Sequence, residues 1–448
     1  MRSILKPIKW IFRKILKYTP LTKTHLRLFY KLNVALSVLT SEDKKDEENT
    51  ARSLKQFESK VAPINAKILD ADSPQRISMF LSEINFKYFS GGYMGMLNFG
   101  KLLYKLGFRI RIIVTEQAVV DLITWKNEIR KYKGLENIFD IVEVESVFCR
   151  DKEVEFYANE QLVATSWWTA HIVESVRKQL NLDRFIYFIQ EFEPLFYPYG
   201  SYYSLAMQSY AFPHFAVFST AILRKYFQEH SLSVFSEKLD NEFSATFHNA
   251  VLKVKPLNQL NQRTTRKLLF YFRPEFHADR NMYEIGFTAL KQAIENGAFA
   301  SGDWEFYGIG SLLPAKSKIQ LTEDHYLEII PKLNLEDYAK LLPDFDIGLS
   351  LMLSPHPSLV PIEMCAAGIV TVTNTFANKT EIELSRISKN FVCAKPSIDS
   401  VASALKQAVN DVENSEERIK NSDIQWPTDW NDSFNKEFVE TIQTFLRG

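Results

Sequence analysis

From about Arg76 onward, short apolar runs alternate with longer stretches whose apolar residues recur every three or four positions. Runs of four to seven apolar residues predict buried strands, and the three-to-four spacing predicts helices lying on them, which is the rhythm of a parallel α/β sheet. In the first half this places strands at residues 77–81, 110–114, 140–144, 162–166, 185–189 and 215–218, with helices at 94–106, 119–131 and 170–180. The second half repeats the scheme, with strands at 268–272, 305–307, 347–351, 370–373 and 391–394 and helices at 282–295, 335–341, 362–367 and 401–412. Between them, residues 230–262 are polar and the strand rhythm is lost, so the changeover is placed there. A last helix is predicted at 432–446, after Trp426-Pro427. Two successive doubly wound units make two lobes with a cleft between, and such sheets bind ligands beyond the carboxyl ends of their strands.

The first forty residues follow another pattern. Arg2, Lys6, Lys9, Arg13, Lys14, Lys17, Lys23, Arg27 and Lys31 occur with no acid among them, interleaved with Ile4, Leu5, Ile8, Trp10, Ile11, Phe12, Ile15 and Leu16. This predicts an amphipathic helix with a cationic face, suited either to an anionic membrane surface or to docking on the protein's own domains. Each basic residue near an anionic leaflet adds on the order of 1 kcal/mol of attraction. Ser41 to Asn49 (SEDKKDEEN) carries no apolar anchor and reads as a solvated linker. No run approaches the roughly 20 apolar residues of a spanning helix, and the interrupted start is not read as a secretory signal.

Composition changes this picture little. The 448 residues exceed what one core usually serves, and 46% hydrophobic with 24% charged residues is globular. Fifty-four basic residues balance 54 acidic ones, which argues against a nucleic-acid partner recruited by net charge. Cys149, Cys365 and Cys393 are widely spaced, which fits a reducing compartment and neither a disulfide framework nor a zinc site. No metal and no cofactor is expected.

Four segments carry candidate chemistry. Ser354-Pro-His-Pro-Ser-Leu-Val-Pro-Ile-Glu363 runs from a strand end into a helix start, where proline fits the first turn and free amides can meet phosphate oxygens. Glu363 there is placed either to accept from ribose hydroxyls or to complement the helix dipole. Phe272-Arg273-Pro-Glu-Phe-His-Ala-Asp-Arg280-Asn281 occupies the turn after the first strand of the second unit. It is not a GxGxxG fingerprint; its arginines either neutralise a diphosphate or lie on the surface. Gly91 and Gly92, in Ser90-Gly-Gly-Tyr-Met-Gly95, either let backbone approach a ligand or form a tight turn. Finally, Gln190, Glu191, Glu193 and Tyr197 lie in an aromatic, Pro-rich run after the 185–189 strand, and Trp168 ends another strand of that sheet. Aromatic faces and amide or carboxylate groups suit a sugar, while two buried tryptophans beside His171 would be ordinary core.

Taken together, YFIQEFEPLFYPYGS, the FRP…RN turn, and SLMLSPHPSLVPIEMCAAG followed by VTNTFANK resemble the WsaF-type rhamnosyltransferases, retaining bacterial glycosyltransferases. The resemblance covers about residues 76–411. It implies a GT-B architecture, two Rossmann-like doubly wound domains facing across a cleft. The expected segments are 1–60 (basic segment and linker), 61–245 (acceptor-binding domain), 246–427 (nucleotide-sugar domain) and 428–448 (a helix returning toward the first domain). By the resemblance, Arg273 and Arg280 hold the diphosphate and Glu363 the ribose. His356, Pro357, Ser358, Asn374 and Lys379 line the donor pocket, and Gly91, Gly92, Trp168, Gln190, Glu191, Glu193 and Tyr197 face the acceptor. Other retaining GT-B enzymes carry Glu-x7-Glu in this loop, whereas Pro355 stands where the first acid would be. The implied reaction is transfer of L-rhamnose from deoxythymidine diphosphate rhamnose (dTDP-rhamnose) to a glycan or lipid-linked glycan of the cell surface. The implied place is the cytoplasm, peripheral at the inner face of the bacterial membrane. Rival expectations are a nucleotide-sugar epimerase or hydrolase of the same fold, and a non-catalytic partner subunit of another glycosyltransferase.

Overall fold

A computed structural model describes residues 43–87, 89, 91–237, 243–256 and 264–447. The chain divides into two compact units, Met1–Val61 and Ala62–Gly448. The predicted amphipathic stretch 1–31 lies outside the described residues. Of the first unit, a helix spans Asp43–Val61. The segment read as a linker is therefore helical from Asp43, because a Lys- and Glu-rich stretch without Gly or Pro favours helix even when no apolar face anchors it.

In the second unit the strands are β1 (Asn65–Leu69), β2 (Arg76–Leu81), β3 (Arg109–Val114), β4 (Val142–Ser146), β5 (Glu153–Tyr157), β6 (Gln161–Ala164), β7 (Phe185–Ile189), β8 (His214–Ser219) and β9 (Ser244–Phe247). They continue as β10 (Thr265–Tyr271), β11 (Asp303–Ile309), β12 (Lys318–Gln320), β13 (Tyr326–Ile329), β14 (Ile347–Leu349), β15 (Val370–Asn374) and β16 (Phe391–Ala394). One seven-stranded sheet runs β4-β3-β2-β6-β7-β8-β9 and a second β12-β13-β11-β10-β14-β15-β16, with β1 and β5 forming a two-stranded sheet. Every pairing is parallel except the β12–β13 edge. The interior strands are buried on both faces and so read as continuous apolar runs. That is why they were legible.

The missed strands β1, β5, β9, β12 and β13 are three to five residues long, and all but β13 have only one or no neighbour in a sheet. β9 lies inside the polar interval 230–262, and it pairs parallel with β8. The predicted last helix is two, Trp430–Ser433 and Lys436–Arg447. Phe434, Phe438 and Ile442 enter the core of the first sheet, and the Phe445 ring stacks on Phe215 at 4.4 Å.

In each sheet the strand order reverses once, between β2 and β6 and between β10 and β14. A crevice opens where the connections on either side of such a reversal part company, at the carboxyl ends. The connections that leave those four strands carry most of the candidate residues.

Candidate functional site

The segment after β10 is a 3-10 turn, Phe276–Asn281, whose Met282 exit residue has φ of 46°. Arg273 and Arg280 both anchor on that turn. Arg273 donates through Nε to Glu275 at 2.9 Å and through Nη1 to the Tyr271 hydroxyl at 2.9 Å, and its Nη2 lies 3.1 Å from His277 Nε2. A guanidinium only donates, so His277 accepts there and is neutral. Burial and the adjacent Arg273 hold its imidazole below the ordinary range. Arg280 donates to the His277 carbonyl at 3.3 Å. It also reaches the other domain, with its guanidinium 4.7 Å from the Phe196 ring and Nε 4.0 Å from Glu191 Oε1.

Glu363 sits in a seven-residue helix, Val360–Ala366, and is 9% exposed. Its Oε1 accepts from the Leu252 N–H at 3.2 Å, on the segment that crosses between the sheets. Burial pushes the carboxyl up to about 7. The Tyr338 phenol lies alongside and is itself pushed well above its usual range by burial, with Glu363 and Tyr271 adding to the effect. Tyr338 thus feels both Glu363 and Tyr271, the residue that accepts from Arg273.

The loop after β14 is clamped from several sides. Asn374, fully buried, accepts from the Met352 N–H at 2.7 Å and donates to the Met352 carbonyl at 3.0 Å. Lys379, 1% exposed, donates to the same carbonyl at 2.8 Å, and burial draws its ammonium down to about 7. Asn281 donates to the Leu351 carbonyl at 3.2 Å, and the Arg280 carbonyl accepts from the Leu353 N–H at 2.7 Å. Asn374 and Lys379 therefore hold this loop's backbone instead of pointing outward as the pocket lining expected of them. Asn374 also donates to the Thr375 carbonyl at 3.2 Å, so its buried amide is satisfied by main chain. His356 and Pro357 are buried, and Ser358 takes φ of 67°.

On the facing domain, the glycine segment is the first turn of a helix, Gly91–Lys105, and not the loop expected. A Cβ on Gly91 would lie 2.5 Å from Leu359 of the donor loop, and one on Gly95 would lie 2.8 Å from Gln190 and 3.2 Å from Asn249. Close packing across the cleft and around an amide pair thus accounts for Gly91 and Gly95, whereas a Cβ on Gly92 would meet Gln190 only at 3.6 Å. Gln190 donates to the Gly92 carbonyl at 3.2 Å. Glu191 accepts from the Ser354 hydroxyl at 2.6 Å.

Glu193 and Tyr197 turn to the helix Trp167–Leu180. Glu193 accepts from the Trp167 N–H at 2.5 Å, where a carboxylate complements a helix N-terminus. The Trp167 indole donates to the Tyr197 hydroxyl at 3.0 Å. Trp167 is fully buried and Trp168 is half-buried at the start of the same helix. Tyr199, in contrast, is 90% exposed at the tip of this aromatic segment.

The sequence pattern did not single out Tyr271, Glu275, Tyr338, Ser219, Asn249 or Lys332. Lys332 donates to the Phe86 carbonyl at 3.4 Å, joining the two domains near Arg273. Gly310, with φ of 98°, ends β11 where a Cβ would stand 2.6 Å from Tyr271 and 3.0 Å from Arg273. The Gly308-Ile-Gly310 spacing was the one available signal for this. Among the described residues, no three His, Cys, Asp or Glu side chains gather as a metal site would require.

Two domain profiles match the chain, the WsaF N-terminal domain over residues 76–221 and the WsaF C-terminal domain over residues 266–406. A relative in Myxococcus xanthus, O-antigen biosynthesis protein RfbC, is 30% identical over 259 residues, covering 55% of this chain and 18% of that protein. The chain thus spans less than a fifth of that relative's length. Among solved structures, Anabaena HepE in complex with UDP and glucose is similar with a TM-score of 0.54 at 10% identity, over 83% of this chain and 99% of that one. Sucrose-phosphate synthase from Thermosynechococcus elongatus is similar with a TM-score of 0.52 at 11% identity, over 83% and 98%. With the two reversed parallel sheets, these likenesses establish the GT-B fold.

Proposed function

The chain belongs to the WsaF family, and on that premise we propose that it is a glycosyltransferase transferring L-rhamnose from dTDP-rhamnose to a cell-surface polysaccharide acceptor, with retention. The observation that carries this reading is the pair Arg273 and Arg280, both anchored on His277 in the turn after β10. Two fixed guanidinium groups at a strand-order reversal suit a diphosphate. Hydrogen bonds to charged groups contribute about 1.5–3 kcal/mol each, and those that strengthen as the leaving group gains charge lower the barrier. Glu363 is the group we assign to the ribose hydroxyls.

In the reaction, the bond from the anomeric carbon to the phosphate oxygen breaks as the acceptor oxygen bonds to that carbon. The departing phosphate takes the acceptor's proton, so no protein base is assigned and no metal is invoked. The acceptor is assigned to the segment after β7 on the facing domain, where Tyr199 is exposed. The name of the RfbC relative, O-antigen biosynthesis, supports a surface glycan as acceptor. We place the enzyme at the cytoplasmic face of the membrane, held by its basic first forty residues.

The test is incubation of the full chain with dTDP-rhamnose, with and without an oligosaccharide or lipid-linked acceptor. Rhamnosylated acceptor and dTDP are expected only when both substrates are present. Equal sugar release without acceptor would turn the assignment to a hydrolase or epimerase. Thermal shifts with dTDP, UDP and GDP identify the nucleotide, since a ligand at about 100 times its Kd stabilises by about 2.7 kcal/mol.

A further inference from the structure

A buried chain of hydrogen bonds runs from the donor loop to the acceptor-side helix, and every link points the same way. The Ser358 N–H donates to His356 Nδ1 at 3.0 Å. A backbone N–H can only donate, so Nδ1 is the acceptor and the ring proton of the neutral imidazole resides on Nε2. His356 Nε2 lies 3.4 Å from Ser219 Oγ, at the end of β8. The Ser219 hydroxyl donates in turn to Asn249 Oδ1 at 2.7 Å. That leaves its lone pairs toward His356. Asn249 Nδ2 then donates to the Gly91 carbonyl at 3.0 Å, with Gln190 Oε1 at 3.4 Å. The Gly91 carbonyl cannot donate, which fixes the orientation of the Asn249 amide and, through it, every link back to Ser358. Ser219, Asn249 and His356 are 0%, 3% and 6% exposed, so water does not compete along the chain. Gly95 completes the arrangement, since a side chain there would meet both Gln190 and Asn249.

We propose that Ser219 and Asn249 are positioning residues, which take up the Nε2–H that the Ser358 contact leaves on His356 and thereby hold the Ser354–Ser358 loop in register with the acceptor-side helix. The inference rests on the transferase reading for its consequence in catalysis, and on geometry alone for the tautomer. Aligned donors of this kind reinforce one another in a buried setting, and a single reversed link would leave two donors or two acceptors face to face. Neither residue touches the proposed diphosphate site. Their effect passes through His356, whose loop also carries the Ser354 contact to Glu191. Burial, with Lys379 and Arg280 nearby, keeps the His356 ring below its ordinary range despite Glu191, which is consistent with a neutral ring.

The experiment uses the full chain with 15N-labelled histidine, the His356 signals being assigned by their loss in His356→Gln. In the wild type, a single Nε2–H tautomer is expected. Ser219→Ala should keep the Nε2–H tautomer, which the Ser358 N–H fixes, but shift the Nε2–H resonance as its acceptor is lost, and lower kcat at least about tenfold, with the KM for dTDP-rhamnose moving less than about threefold, because alignment and not affinity is lost. Asn249→Asp still accepts from Ser219 but cannot donate to Gly91. It should retain the single tautomer while raising the KM for acceptor at least about threefold. An Nε2–H resonance in Ser219→Ala unchanged from the wild type, or an Nδ1–H ring in the wild type, overturns the proposal, as does wild-type acceptor KM in Asn249→Asp. Should the wild type turn over no dTDP-rhamnose, the functional reading fails while the tautomer measurement still decides this one.

Discussion

The Ser354 hydroxyl donates a 2.6 Å hydrogen bond to the Glu191 carboxylate, joining the loop after β14 in one domain to the residue beyond the end of β7 in the other. Glu191 is also the acid that Arg280, His356 and Lys379 share. Its second oxygen faces Arg280 at 4.0 Å, so the same carboxylate touches the donor loop and the cation proposed for the diphosphate. The cleft is thus bridged by specific polar contacts at its centre.

Replacing Ser354 with alanine removes the donor to Glu191 and the acceptor for the His356 N–H. A hydrogen bond to a charged group is worth about 1.5–3 kcal/mol, and water reaching the partly exposed Glu191 recovers some of it. We expect Ser354→Ala to lower stability by about 1–2 kcal/mol in urea melts. An unchanged midpoint and slope would show that this contact contributes nothing.

Arg273→Ala should lower turnover at least about tenfold, about 1.4 kcal/mol of barrier, with circular dichroism unchanged. Arg273→Lys should recover only part of it, since a lysine cannot reproduce the simultaneous contacts to Tyr271, Glu275 and His277. Full activity in the alanine variant would remove Arg273 from the site.

Glu363 supplies a pH dependence whose sign is definite. Burial raises its carboxyl from 4.5 to about 7, so in the intervening range the folded state holds a proton that the unfolded state has released. Its contribution is fully present below the unfolded value and is lost as pH rises through about 7. The loss is at most about 3 kcal/mol. Glu363→Gln keeps the acceptor for Leu252 N–H without the ionisation. The melting temperature of the variant relative to wild type should therefore rise between about pH 5 and about pH 8. A constant difference across that range would contradict the raised value.

The basic first forty residues are proposed to hold the enzyme to anionic lipid. Flotation of the full chain with anionic vesicles should exceed that of a form lacking residues 1–40, and the difference should shrink at high salt as charges are screened. Equal recovery of the two forms would reject that role.

Much of the donor side was legible because its signals are local. Arg273 and Glu363 follow interior strands whose continuous apolar runs are easy to read, and proline-rich turns mark where those strands end. The acceptor side was less so. Gly91 and Gly92 read as a loop because glycine disfavours helix, whereas Leu359, Gln190 and Asn249 pack against that helix too closely for a side chain. Asn374 closes β15 and Lys379 follows it, but nothing local tells that both turn to the Met352 backbone.

By itself the amino-acid order determined two parallel α/β units and the cationic and acidic residues at their strand ends. Those follow from apolar periodicity and turn chemistry, which act within a few residues. Tertiary structure alone decided that Ser219 and Asn249 link His356 to Gly91, that Glu191 meets Ser354, and that Glu363 is buried beside Tyr338. These partners lie tens to more than a hundred residues apart. Whether a polar side chain becomes a site or a strut depends on which donors and acceptors folding brings to it once water is gone.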